Sequence, residues 1–86
     1  MEINDQLKDF IVENFLFGQR GSLDNDTDFF EKGIIDSTGI IELISYIEMT
    51  FNFNILDEEL TLENFSSINK VSAFIKLKLN GKTEAH

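Results

Sequence analysis

Apolar residues recur at spacings of three and four in three segments of the chain, which is the periodicity of an amphipathic helix. The first segment covers residues 3–16 and the second runs from about Ser37 to Phe51. The third follows Ser66 or Ser67, either of which can cap it. We predict that these residues face the core: Ile3, Leu7, Phe10, Ile11 and Phe15 in the first helix; Ile40, Ile41, Ile44, Ile47 and Phe51 in the second; Ile68, Val71, Ile75 and Leu79, with Phe74 beside them, in the last.

A long loop, residues 17–36, separates the first two predicted helices. Gly18 and Gly21 are expected to end the first helix. Loops of this length are uncommon in compact domains and are often functional. The pairs Phe29-Phe30 and Ile34-Ile35 are predicted to anchor the loop to the core.

The rest of the chain completes an all-α fold. Asp57-Glu58-Glu59-Leu60 indicates a short helical turn, residues 61–65 indicate another single turn, and no strand-like alternation of useful length occurs. We predict a small four-helix bundle, with three long helices, a short third helix and the long loop between helices one and two. Asn80-Gly81 is expected to end the last helix, which gives a domain over residues 1–80 and a loose C-terminal tail over 81–86.

The composition removes several classes of chemistry. The 86 residues include no cysteine, and the one histidine is His86 at the C-terminus. Disulfides, thiolate metal sites, a cysteine nucleophile and a serine–histidine hydrolytic pair are therefore excluded or nearly so. The N-terminus has no secretory-signal pattern, and no apolar run approaches the roughly 20 residues that span a bilayer. We expect one domain in the cytoplasm, without membrane insertion.

Negative charge is concentrated in the middle of the chain. From Asp24 to Glu63 there are eleven acidic residues and one basic residue, Lys32, so the net charge is −11 + 1 = −10. Such a segment repels nucleic acids and anionic membranes, and it speeds association with basic protein partners. The alternative interpretation is that the acids only keep a small protein soluble.

The run Asp24-Asn25-Asp26-Thr27-Asp28 places oxygen ligands at alternate positions, like the start of an EF-hand calcium loop. Such a loop needs glycine at its sixth position and glutamate at its twelfth. Those positions hold Phe29 and Ile35. We therefore interpret the cluster as turn-forming and predict no metal site.

Asp36 and Ser37 stand where the acidic loop meets the second predicted helix. A hydroxyl there lies at a helix N-terminus, where free backbone N–H groups and the helix dipole favour a phosphate. Asp and Ser are also both common helix caps, so the pair alone indicates only a structural helix start. Three further features together favour a functional serine: Gly33 four residues earlier, a hydrophobic pair between them, and a following helix with its acids on one side.

The residues around this serine carry a family resemblance: Phe30-Glu31-Lys32-Gly33-Ile34-Ile35-Asp36-Ser37-Thr38-Gly39-Ile40-Ile41-Glu42-Leu43-Ile44, continuing through Ile47-Glu48 and Phe51. The chain resembles the acyl and peptidyl carrier proteins over about residues 3–79. Asp36, Ser37, Glu42 and Leu43 match the family motif, whereas Thr38 stands where Leu is usual. Gly39 costs a helix interior roughly 1 kcal/mol relative to Ala. The run is similar to that of D-alanyl carriers of cell-wall teichoic acid modification and of free-standing carriers of specialised pathways.

The resemblance implies that a phosphopantetheinyl transferase uses coenzyme A and Mg²⁺ to attach 4′-phosphopantetheine to Ser37, with Asp36 as a neighbouring transferase contact. The thiol of that arm would hold an acyl or aminoacyl group as a thioester for loading and condensing enzymes with basic surfaces. The pathway would be one of specialised lipid, fatty acid, polyketide, non-ribosomal peptide or D-alanyl type. The predicted partner-facing residues are Glu42, Glu48, Thr38 and Ile41, on a non-catalytic monomer.

A different class of function stays open on the residues alone. The chain could be an unmodified acidic helical domain that binds a basic protein partner. An enzyme ranks third, since these side chains offer no general base paired with a nucleophile. Mass measurement after incubation with coenzyme A and a transferase separates the first two functions.

Overall fold

The computed structural model describes residues 2–16 and 23–84, and every regular element in these ranges is a helix. The α-helices are α1 (Ile3–Phe15), α2 (Ser37–Phe51), α3 (Leu62–Phe65) and α4 (Ile68–Glu84), and a 3₁₀ turn, Asp57–Glu59, precedes α3. This confirms the predicted all-α class with a short third helix. Gly18 and Gly21, which are predicted to end the first helix, lie outside the described residues.

One core joins all four helices and the loop before α2. α4 packs against both α1 and α3, and α1 meets α2 through the stacked rings of Phe10 and Tyr46. The residues buried in this core are Leu7, Ile11, Val12, Leu23, Phe29, Ile35, Leu43, Ile47, Phe65, Ile68, Val71, Phe74 and Ile75. No helix among the described residues is long and apolar enough to cross a membrane.

The buried face of α2 differs from the prediction. Leu43 and Ile47 are fully buried, whereas Ile41, which was expected in the stripe, is 63% exposed. Ile40 and Ile44 are half-buried between these extremes. α2 carries further apolar residues beside its buried face, so periodicity alone does not separate Ile41 from the buried positions, and packing in the folded core decides between them.

The start of α4 agrees with the prediction from sequence, whereas its end does not. Ser67 is one of the two predicted caps. It caps the start of the helix, because its Oγ accepts from Lys70 N at 3.2 Å. The predicted end at Asn80-Gly81 was wrong, since the helix continues to Glu84. A single glycine weakens a helix by roughly 1 kcal/mol relative to Ala but does not have to end it. Residues 81–84 are thus helical, and 85–86 lie outside the described residues.

The predicted anchor residues attach the described part of the first loop to the core. Phe29 and Ile35 are buried and their neighbours Phe30 and Ile34 are half-buried, as predicted. Phe29 N also donates to Ser66 O at 2.8 Å, which joins the loop to the segment before α4. The chain therefore enters α2 from a fixed position.

The acidic cluster over residues 24–28 of this loop forms turns, as predicted. Asp28 Oδ1 accepts from Phe30 N and from Glu31 N, both at 3.0 Å. Asp26 Oδ1 accepts from Asn69 Nδ2 at 2.6 Å, and Asn69 belongs to the first turn of α4. These side chains thus link the loop to itself and to α4.

Candidate functional site

Asp36 is the N-cap of α2. Its Oδ1 accepts from Thr38 N at 3.1 Å and from Gly39 N at 2.7 Å, which satisfies two of the amides that a helix start leaves without partners. Ser37 is the first helical residue, is exposed, and makes no side-chain hydrogen bond within the part of the chain that is described. The helix start therefore depends on Asp36, and the Ser37 hydroxyl is available for chemistry.

This arrangement changes the electrostatics expected at Ser37. The amides of Thr38 and Gly39 already bind a carboxylate, so they are not free to bind a phosphate. The helix dipole still favours an anion beside Ser37, but the charge of Asp36 opposes it. The site therefore presents a reactive group without forming a preformed anion pocket.

The loop before α2 positions Ser37 through a tight turn. Ile34 N and Ile35 N both donate to Phe29 O, at 2.8 and 3.3 Å, so the turn closes on a buried residue. Gly33 occupies this turn with φ +70°, a conformation that costs other residues strain. Buried Ile35 then fixes the chain immediately before Asp36.

Gly39 allows α1 to approach the first turn of α2. A Cβ atom at this position would lie 2.7 Å from Phe15 Cε1 and 3.3 Å from Ile35 Cγ2. The sequence indicated only an unfavourable helix residue here. The reason for the glycine is a contact with a distant segment, which local pattern does not reveal.

A cavity of about 310 Å³ lies beside Ser37. Ser37, Ile40, Ile41 and Ile44 line it from α2, and the other lining residues come from the loop and the α3 region: Phe30, Leu60, Thr61, Leu62 and Phe65. Sequence analysis did not assign Leu60 and Leu62 to the site. The sequence offers one signal for them, a pair of leucines in a segment without helical periodicity. Both leucines are substantially exposed in the structure. The hydroxyl therefore borders an apolar groove that a flexible organic chain can enter.

The predicted partner-facing residues occupy different environments. Thr38, Ile41 and Glu42 are exposed on α2. Glu48 is half-buried, and its Oε2 accepts from Ile55 N at 2.8 Å. Glu48 therefore secures the segment that follows α2, in addition to any role at a surface.

Glu59 and Lys78 form an ion pair next to Leu60, which lines the groove. Lys78 Nζ lies 3.0 and 3.1 Å from the two carboxylate oxygens of Glu59, and it lies over the rings of Phe53 and Phe74 at 5.8 and 5.9 Å. Partial burial alone would raise the pKa of Glu59. The hydrogen bond from Leu56 N and the Lys78 charge outweigh burial and lower this pKa below 4.5. The ion pair thus holds the 3₁₀ turn before α3 against α4.

Among the described residues, no general base is paired with the Ser37 hydroxyl. The carboxylate nearest in sequence to Ser37 is occupied by two backbone amides, and no histidine or cysteine lies within the described residues. The site therefore combines an exposed hydroxyl at a helix start with an open apolar groove. The fold and site together define a carrier of an attached group.

Comparisons with known proteins agree with this class. Residues 16–75 match the family model described as phosphopantetheine attachment site. The chain is 36% identical over 72 residues to the D-alanyl carrier protein of Leuconostoc mesenteroides, covering 81% of this chain and 92% of that protein. It is 27% identical over 74 residues to the probable acyl carrier protein PigG of a Serratia species, covering 86% and 85%. The holo acyl carrier protein of Nitrosomonas europaea has the same fold, with a TM-score of 0.77 at 18% identity, covering 93% of this chain and 99% of that one.

The chain therefore belongs to the phosphopantetheine attachment family, as an acyl or peptidyl carrier protein. Its prosthetic group is covalently attached 4′-phosphopantetheine, and it is a carrier rather than an enzyme. As a carrier, it interacts with a phosphopantetheinyl transferase and with pathway enzymes.

Proposed function

We propose that Ser37 is the attachment residue for 4′-phosphopantetheine. The observation that carries the proposal is the division of roles at the helix start: Asp36 caps α2, and the neighbouring hydroxyl is exposed and makes no hydrogen bond to any described residue. A serine needed as a cap would have its oxygen occupied by a backbone amide. The groove beside Ser37 also fits the group, because its apolar walls can cover methylene and methyl groups of a flexible arm.

The proposed function is to hold acyl or aminoacyl groups for partner enzymes of a specialised biosynthetic pathway. The prosthetic group supplies the terminal thiol that this chain, without cysteine, cannot supply, and the cargo is carried on it as a thioester. The protein contributes the hydroxyl, the fixed helix start and the apolar groove. Among lipid, polyketide, non-ribosomal peptide and D-alanyl pathways, the D-alanyl relatives favour an aminoacyl cargo.

The proposed partners are a transferase that contacts Asp36 and loading and condensing enzymes with basic surfaces. Thr38, Ile41 and Glu42 are exposed on α2, within reach of an enzyme that approaches Ser37. The net charge of −10 over residues 24–63 favours basic partners. We further propose that the chain acts as a monomer in the cytoplasm.

Intact-mass measurement tests the attachment. The purified protein is incubated with coenzyme A, Mg²⁺ and a broad-specificity phosphopantetheinyl transferase. We expect the wild type to gain one phosphopantetheine and Ser37→Ala to gain none. Ser45→Ala is the matched control, because Ser45 is also exposed on α2, and it should be modified fully.

Modification of Ser37→Ala would show that the attachment residue lies elsewhere. Absence of modification in the wild type would favour the alternative function, an unmodified acidic interaction domain. Once the wild type is modified, ATP, D-alanine and the ligase of a D-alanyl carrier system are added. A second mass increase that hydroxylamine removes identifies an aminoacyl thioester, whereas no increase with D-alanine directs the search to other cargo.

A further inference from the structure

The wall of the apolar groove on its α3 side comes from residues 56–62, which we call the strap. Leu60, Thr61 and Leu62 line the groove from the strap. No strap residue is buried, and Glu59 is the one that is half-buried. The side chains of Leu60 and Leu62 are 43% and 66% exposed. Burial of apolar surface therefore does little to hold the strap in place.

Glu59 and Lys78 connect the strap to α4. Lys78 Nζ lies 3.0 and 3.1 Å from the two carboxylate oxygens of Glu59. Among the described residues, this pair is the one side-chain hydrogen bond or ion pair between the strap and α1, α2 or α4. The other hydrogen bonds of the strap run within it or to the α3 region, as when Asn64 Nδ2 donates to Glu59 O at 2.9 Å. The position of the strap on α4 therefore depends on one pair.

Lys78 also reaches the beginning of the connection between α2 and α3. Its Nζ lies 5.8 Å from the ring centroid of Phe53 and 5.9 Å from that of Phe74. The Phe74 ring meets the Phe53 ring edge-on, with centroids 6.3 Å apart, and lies 5.1 Å from the ring of Phe65, which lines the groove. A cation is attracted both by aromatic faces and by a carboxylate. One side chain of α4 thus contacts both ends of the connection and an aromatic cluster that extends to the groove.

We propose that Lys78 is a positioning residue for the groove: it holds the strap against α4, and the strap moves away from α4 when the Glu59–Lys78 pair is broken. The groove is then preformed only while this pair is intact. A preformed groove binds a short alkyl chain without first ordering one of its walls, and ordering a wall costs affinity. Lys78 acts through the strap, since it does not itself line the groove. This inference does not rest on attachment at Ser37.

Spin-label distances on the unmodified protein test the position of the strap. The chain has no cysteine, so Ala73→Cys on α4 and Glu58→Cys in the strap introduce the only two labelling sites, both at exposed positions. Double electron–electron resonance measures the distribution of distances between the labels. Lys78→Met, made in this background, removes the charge and keeps an unbranched apolar side chain beside the rings. We expect this change to make the distribution about twofold broader.

Two variants of lysine separate the ion pair from charge alone. Lys76→Met removes the same charge from an exposed position on α4, so it should leave the distance distribution unchanged. Lys78→Arg keeps a cation that can pair with a carboxylate and lie over an aromatic ring. It should therefore keep most of the narrow distribution.

Glu59→Gln breaks the pair from its other side. Its amide oxygen can still accept from Leu56 N, so the bond within the strap is retained. Glu59→Gln should broaden the distance distribution as Lys78→Met does. The two changes combined should broaden it no further, because both remove the same interaction. Circular dichroism checks that each variant is folded.

Titration of 1-octanol into the ¹⁵N-labelled unmodified protein tests the groove itself. Changes in the amide shifts of Ile40, Ile44 and Leu62 locate the bound alcohol, and their dependence on concentration gives its affinity. Lys78→Met should bind octanol about threefold more weakly, because the wall must be ordered on binding. Lys76→Met should bind it as the wild type does. A lysine needed only for stability would lower the midpoint of unfolding without changing this affinity.

The same distance distribution in the wild type and Glu59→Gln, or equal broadening by Lys76→Met, would overturn the proposal. So would unweakened octanol binding by Lys78→Met, or the absence of octanol shifts at the groove in the wild type. If Lys78→Met does not fold, Glu59→Gln serves for both measurements. Neither measurement uses coenzyme A or a transferase, so a failure of modification counts only against the function proposed for Ser37.

Discussion

At the scale of single residues, Asp36 and Ser37 have separate tasks. The Asp36 carboxylate serves two amides of the first turn of α2, while the Ser37 side chain contributes nothing comparable to the helix start. Stability can therefore be tested separately from modification.

We predict that Asp36→Ala lowers the free energy of unfolding by about 1 kcal/mol, because two helix amides lose their acceptor. Ser37→Ala should change it by less than about 0.5 kcal/mol, since the lost hydroxyl is exposed and bonds to none of the described residues. Urea unfolding followed by circular dichroism measures both. Asp36→Asn keeps an acceptor oxygen and should fall between them. A Ser37→Ala loss as large as that of Asp36→Ala would mean that the serine is a structural cap.

Gly39→Ala gives a second prediction at this scale. Alanine improves helix propensity by roughly 1 kcal/mol, but its Cβ would overlap Phe15 Cε1 and crowd Ile35 Cγ2. Overpacking of this kind typically costs about 1–3 kcal/mol, so we expect a net loss of about 1 kcal/mol. Replacing Phe15 by Leu in the same chain should recover much of the loss, which urea unfolding of the two variants will show. A Gly39→Ala protein more stable than the wild type would disprove the close approach.

At the scale of elements, the end of α2 and the 3₁₀ turn depend on two glutamates. Glu48 bonds the Ile55 amide, and Glu59 bonds the Leu56 amide at 2.9 Å as well as Lys78. On a helix of 100° per residue, Glu48 lies about 20° from Ser37 and Glu42 about 140°. The sequence thus predicted Glu48 as a partner-facing acid, and the structure adds a backbone contact.

We predict that Glu48→Gln slows association with the phosphopantetheinyl transferase and reduces its salt dependence, with little change in stability, because the amide oxygen can still accept from Ile55 N. Glu48→Lys should also lower the free energy of unfolding by about 1–3 kcal/mol, because the part-buried Ile55 amide loses its acceptor. Stopped-flow association rates and urea unfolding separate these effects. If Glu48→Gln associates as fast as the wild type, Glu48 serves the fold alone.

The lowered pKa of Glu59 predicts a pH dependence. A carboxyl group with a depressed folded-state pKa stabilises the protein above its unfolded pKa, near 4.5, and loses that contribution as pH falls through the folded value. Glu59→Gln should therefore be less stable than the wild type at pH 7, and the difference should disappear as the pH falls below 4.5. Thermal unfolding of both proteins from pH 7 to pH 3 measures this. Because the Glu59–Lys78 pair is partly solvated, we expect the difference in the free energy of unfolding to be at most about 1 kcal/mol. A difference that persists at pH 3 would have another cause.

At the scale of the whole molecule, net charge opposes folding. The −10 over residues 24–63 repels itself more in the compact state than in the unfolded chain. We predict that the midpoint of thermal unfolding rises with NaCl, and at lower concentrations with Mg²⁺ or Ca²⁺, without preference between the two divalent ions. Screening acts over a Debye length of about 10 Å at 0.1 M salt.

The control for this prediction is a variant of the acidic turn. Asp26 accepts from Asn69, so a change there also affects a contact with α4. Asp24→Asn is the cleaner variant, because Asp24 is exposed and its recorded contacts in the turn are made by backbone atoms. A saturable, calcium-selective stabilisation that Asp24→Asn abolishes would indicate a specific metal site.

The sequence alone determined the order and type of the elements, the anchors of the loop and the position of Ser37 at a helix start. These follow from periodicity and capping, which act within a few residues along the chain. Only the tertiary structure decided which apolar face of α2 is buried, why Gly39 is needed, what Glu48 bonds and how Phe10 and Tyr46 stack. The buried face of α2, the need for Gly39 and the stacked rings depend on contacts between segments that are distant in sequence, and the Glu48 bond depends on how the chain turns after α2. The apolar residues of α2 carry no local signal that selects their neighbours.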